Sequence, residues 1–122
     1  MKYFISGAIS KYASTPEGRK EVSDKFMGAE FDLLTKQIAT EVFNPIRLVD
    51  EYGWDNDWKF YMGICLNQLL HCDAIWMLDD WKSSKGSQIE LALAMQLGLK
   101  VYFNTPIIDL SQLDVKNTPY TC

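Results

Sequence analysis

The sequence is poor in the residues that build metal centres and disulfide frameworks. It has one histidine, His71, and three cysteines, Cys65, Cys72 and Cys122, with no CxxC pair among them. Zinc templates need more ligands at short spacings, and a disulfide framework needs an even set, so neither is expected and no metal is assigned. Reduced thiols fit a cytoplasmic protein. No apolar run approaches the roughly 20 residues that cross a bilayer, and the opening residues lack the basic segment, apolar core and cleavage site of a secretion signal. The expectation is a cytoplasmic protein with no membrane partner. Positive charge is also scarce: 12 Lys and Arg against 16 Asp and Glu leave a formal net charge of -4. A nonspecific grip on polymeric nucleic acid uses a cationic surface to displace counterions, so that partner is not expected either. A small anion held by local donors stays compatible with this balance. The chain has no internal repeat and no low-complexity tract.

What is present is the composition of one globular domain, with 122 residues, 48% of them hydrophobic and 23% charged. The stretch from Asp73 to Phe103 organises the rest. Ala74 to Leu78 is an uninterrupted apolar run of the kind found in a parallel strand covered on both faces. Asp79 to Gly86 is polar and small, as in a loop. Ser87 to Leu97 is rich in helix formers, Gly98 supplies a stop, and Leu99 to Phe103 reads as a second strand. Within that helix Glu90 is the only charged residue between Lys85 and Lys100. Its spacing allows two readings. Ser87 and Glu90 are three apart, as in a capping box that also suits the helix dipole. Alternatively, Glu90 leans toward the loop, at the strand's carboxyl edge where open α/β sheets bind ligands.

Upstream, Lys2 to Ile5 is a short strand running into Ser6, Gly7, Ala8, Ile9 and Ser10, small residues whose amides can approach a ligand or simply make a turn. Thr15, Pro16 and Glu17 mark a helix start, and the helix is expected to run to about Ala39. Val22, Phe26, Ala29 and Leu33 form one apolar stripe, and Met27, Phe31, Leu34 and Ile38 an adjacent one, predicting a broad face on the sheet. Val42 and Phe43 form a strand closed by Asn44 and Pro45; Asn44 is more readily a turn residue than a ligand contact. Asp55, Asn56 and Asp57 cap a helix from Trp58 to about His71, with Trp58, Met62, Cys65 and Leu69 on one face and His71 serving the terminal carbonyls. Residues 104–122, with Pro106, Pro119 and the apolar segment Ile107 to Leu113, read as a surface tail or an arm on a partner subunit. Alternating strands and helices imply an α/β fold: three layers around a parallel sheet of about four strands, order 2-1-3-4, with the switch point between the first and third strands.

The Ser6 to Ile9 opening, Asn44 with Pro45, Trp58 with Tyr61 and Met62, Cys72 with Asp73, and Trp81, Ser84, Gly86, Glu90, Ala94 and Gly98 together resemble the short nucleoside 2-deoxyribosyltransferase-like proteins of bacteria and phages. The resemblance covers about residues 1–103 and treats the whole chain as one domain with a core and a tail. It implies a flavodoxin-like (Rossmann-like) fold, a homo-oligomer of two or more subunits, no cofactor, and a nucleoside or nucleotide as the small-molecule partner. Glu90 matches the nucleophile of the better-studied relatives, which transfer deoxyribose or hydrolyse 2'-deoxynucleoside 5'-monophosphates. Ser84, Gly86 and Ser87 would hold sugar or phosphate, and Ser6, Gly7 and Asn44 would also bind substrate. Trp81 would stack on the base, or else pack in the core or an interface. Two departures stand out. Where the relatives carry an aspartate in the helix before the third strand, this chain has Cys65, and where the monophosphate hydrolases have arginines in the loop after the first strand, this loop has only Lys11. The implied activity is cleavage or transfer at the N-glycosidic bond of a (deoxy)nucleoside or its 5'-monophosphate; the alternative is a nucleotide-binding module with weakened catalysis. Position 84, a serine rather than an aspartate, matches the monophosphate hydrolases.

Overall fold

A computed structural model describes residues 1–104. The tail or arm expected over residues 105–122 lies outside the described residues. Four strands, β1 (Lys2–Ser6), β2 (Glu41–Phe43), β3 (Ala74–Met77) and β4 (Lys100–Phe103), form one sheet of order β2-β1-β3-β4 in which every pairing is parallel. This is the expected α/β fold. The central pairing sets Phe4 beside Ile75 and Ile5 beside Trp76, and the Leu78 amide extends it by donating to the Ser6 carbonyl at 2.8 Å.

The helices are α1 (Pro16–Thr35), α2 (Arg47–Tyr52), α3 (Trp58–Leu69) and α4 (Lys85–Gln96). The chain steps from β1 to β2 in one direction and from β2 through β3 to β4 in the other. Right-handed crossovers therefore place α1 on one face and α3 and α4 on the opposite face. The core divides accordingly: Tyr3 and Ile5 meet Val22, Phe26 and Leu33 of α1, whereas Phe4, Ile75 and Met77 meet Cys65 and Leu69 of α3 and Leu91 and Ala94 of α4. Each large side chain buried this way contributes about 1.5–3 kcal/mol against exposure.

Thr15 caps α1 as expected, its hydroxyl accepting from the Gly18 amide at 3.0 Å. The helix ends at Thr35, short of Ala39, and the expected second stripe is not buried: Met27, Phe31 and Leu34 are exposed because a single helix laid on a sheet covers only one stripe, and Ile38, also exposed, falls beyond the helix end. Asp57 caps α3 and His71 Nδ1 lies 2.9 Å from the Asn67 carbonyl oxygen, the terminal role expected of it. Gly98 ends α4 with φ +75, in the left-handed region that favours glycine. The short helix α2 has no counterpart in the expected elements; no side chain caps its start, so the sequence carries no start signal there. Among the described residues no helix is long and apolar enough to cross a membrane.

Candidate active site

β1 and β3 are neighbours whose following connections diverge to opposite faces, so a crevice opens between the loops beyond their carboxyl ends. The Ser6–Ser10 loop forms one wall. Gly7 can approach β3 only because it has no side chain: a Cβ there would lie 2.9 Å from Leu78 Cβ. The start of α4 forms the other wall. Ser84, not Ser87, caps this helix, accepting from the Ser87 amide at 3.1 Å, and α4 begins at Lys85 within the expected loop. The capping-box reading of Glu90 is thereby corrected, since a capping glutamate would stand three residues after the cap, at Ser87.

Glu90 instead sits in the second turn of α4, 5% exposed, where Oε1 accepts a hydrogen bond from Ser6 Oγ at 2.6 Å. Burial disfavours its charged form and pushes the carboxyl up to about 7, with the Ser6 hydroxyl pulling partly the other way. Glu90 lines a cavity of about 170 Å³ together with Gly7, Cys65, Ser84, Gly86 and Ser87. The Ser87 hydroxyl is buried and has no hydrogen-bond partner among the described residues. Such a group is costly unless a ligand or solvent satisfies it. The Cys65 thiol is pushed up by burial and further by the charge of Glu90, so it stays protonated and lies within that carboxylate's field.

Much of the remaining lining is aromatic and apolar, with Pro45, Leu48 and Val49 from around α2 and Trp54, Trp58 and Tyr61 at and before α3. Tyr61 is oriented by donating to the Gly53 carbonyl and accepting from Asn56 Nδ2. These residues were not singled out as a wall of the site from the sequence. The usable signal was density: Tyr52, Trp54, Trp58, Phe60 and Tyr61 put five aromatics in ten residues.

The structure thus gathers Gly7, Ser84, Gly86, Ser87 and Glu90 at one cavity, with Ser6 holding Glu90 from behind. Two expected ligand contacts go elsewhere. Asn44 is 3% exposed and acts as a turn residue: its side chain donates to the Phe26 carbonyl at 3.1 Å and to Glu30, and accepts from the Ile46 amide. Trp81 is 5% exposed in the α3/α4 core, its ring tilted on Phe103 at 5.7 Å, which resolves its two readings in favour of packing.

Residues 1–103 match the model of a family described as a domain of unknown function (DUF4406). No curated protein and no solved structure matches the chain.

Proposed function

The chain belongs to the DUF4406 family, and from the site it carries we propose that it cleaves or transfers at the N-glycosidic bond of a nucleoside or nucleotide, with Glu90 as nucleophile. The observation that carries this reading is a buried carboxylate, hydrogen-bonded by Ser6, in a cavity that aromatic side chains also line. The aromatic lining suits a flat base, and the Glu90 end suits a sugar. An oxygen of ionised Glu90 attacks the anomeric carbon as the bond to the base breaks. The bonding pair leaves with the base, which takes a proton from water. The resulting glycosyl ester is then opened by water or by a second base, freeing the carboxylate. Ser6 fixes the carboxylate's direction, and the unpartnered Ser87 hydroxyl supplies a donor for a sugar oxygen.

Ser84 and Gly86 favour a 5'-phosphate over a free 5'-hydroxyl. The Ser84 oxygen accepts the Ser87 amide but keeps its own proton to donate, and the first-turn Gly86 amide has no carbonyl within the helix to bond. Ser84→Asp would place like charge against that phosphate and make the nucleoside the better ligand.

The test is product analysis after incubation with a panel of nucleosides and deoxynucleoside 5'-monophosphates. Free base is the expected product. Saturable binding with no base released would instead mean a binding module, a reading favoured by one observation: Cys65 sits in the cavity as a protonated thiol where a carboxylate could assist the sugar. Cys65→Asp then separates the two, since an increase in turnover marks a weakened enzyme and a folded variant of unchanged rate excludes a role for position 65.

A further inference from the structure

A second cavity, of about 430 Å³, adjoins the first and shares Ile9, Ser10, Trp58, Ser84 and Gly86 with it. Glu90 does not line it, and its character is different. Lys11 and Lys85 line it, and among the described residues no Asp or Glu does. Both ammonium groups are held over aromatic rings, Lys11 at 5.1 Å from the Tyr12 centroid and Lys85 at 4.3 Å from that of Trp58. Lys2, Lys20, Lys25 and Arg47 each pair with a carboxylate; among the described residues, Lys11 and Lys85 do not. Asp80, the carboxylate that reaches this loop, is already engaged by the Ala8 amide at 3.1 Å, the Tyr12 hydroxyl at 2.9 Å and Lys25 at 3.0 Å. In a chain of net charge -4, this leaves a local cationic compartment continuous with the proposed nucleoside cavity.

We infer that the outer cavity binds a phosphate chain longer than one phosphate, so that the preferred ligand is a nucleoside 5'-diphosphate or triphosphate. The inference rests on the reading of the inner cavity as a nucleoside site. A single phosphate on Ser84 and Gly86 sits where the two cavities join and leaves the lysine-lined space beyond it unused. Each further phosphate extends into that space and brings negative charge to Lys11 and Lys85. The two ammonium groups act as point charges that tolerate a flexible chain, and the ring contacts hold them in place.

The experiment follows tryptophan fluorescence, with Trp58 lining both cavities as the reporter, while the protein is titrated with the deoxynucleosides of adenine, guanine, cytosine and thymine and their 5'-mono-, di- and triphosphates. At least tenfold tighter binding of a diphosphate than of its monophosphate is expected. The double variant Lys11→Ala/Lys85→Ala should lose most of that difference and weaken monophosphate binding by less than threefold. Both lysines are exposed, and raising NaCl from about 50 to about 500 mM gives a parallel test on the unaltered protein, since screened lysines should weaken the diphosphate more than the monophosphate. Equal affinity for mono- and diphosphate, or equal loss of both in the double variant, would overturn the inference while leaving the nucleoside reading intact. Absence of binding by every nucleoside and nucleotide would overturn both.

Discussion

Asp80 and Glu90 follow the same strand, Asp80 reaches the loop after β1 and Glu90 the last residue of that strand, and both are largely withdrawn from solvent, yet the fold treats them in opposite ways. Burial works against the charge of each. At Asp80 that cost is outweighed by the Ala8 amide, by Lys25 and by the Tyr12 hydroxyl, so its carboxyl is held below the usual range. At Glu90 the one opposing contact among the described residues is the Ser6 hydroxyl, and the carboxyl rises to about 7. The difference lies both in the number of donors and in depth, Glu90 being the more deeply buried of the two, and it separates a carboxylate that ties loops together from one left reactive. Asp80 joins the β1 loop, α1 and the turn before α4, while Glu90 keeps its second oxygen for the cavity.

The largest expected effect breaks the Glu90 side. Glu90→Gln keeps the shape and the acceptor for Ser6 but removes the nucleophile, so base release should fall on the order of a thousandfold or more. Free-base assays check this, and activity within a few fold of wild type would remove Glu90 from the mechanism. The same variant should be more stable than wild type at pH 8. Because the folded carboxyl is raised, the stability of the wild type falls as pH rises from about 4.5 to about 7, by about 3 kcal/mol in all. Urea unfolding at pH 4.5 and pH 8 should therefore show a small gap between variant and wild type at the lower pH and a large one at the higher.

Asp80→Asn should act in the reverse sense. It removes an acceptor from charged Lys25 and from Tyr12 and should destabilise the fold by about 2 kcal/mol at neutral pH. Since this carboxyl is depressed in the folded state, its contribution is present above about pH 3.8 and is lost as pH falls through the folded value. The gap between variant and wild type should close in acid; a gap that instead widened there would contradict the donor accounting at Asp80.

Two smaller effects sharpen the contrast. A nucleophile must be ionised, so the rate of base release should rise with pH through about 7. A rate that fell over that range would make Glu90 a proton donor. Ser6→Ala deletes the hydroxyl that favours its charged form, and the midpoint of the profile should move to higher pH. An unchanged midpoint would mean that Ser6 orients the carboxylate without tuning it.

Most of the fold was legible because period and punctuation are local properties. The Ala74 to Met77 run, the Thr15-Pro16 start, the Gly98 stop and the alternation of strands with helices each depend on neighbouring residues, and right-handed crossovers turn that alternation into the observed strand order. The isolation of Glu90 within an apolar helix marked it in the sequence. Its environment did not appear there, because the Ser6 hydroxyl is 84 positions away in the chain, and only parallel pairing of β1 with β3 brings the two together. The same limit applies to Asn44 and Trp81, whose polar and aromatic side chains look like ligand contacts until packing assigns them to a turn and to the core. It applies as well to the cap of α4, where Ser84 and Ser87 are equally good capping residues and only backbone geometry chose between them. Residue type and spacing determined which groups could do chemistry; how many donors each carboxylate meets was decided by tertiary structure, because those donors come from distant elements.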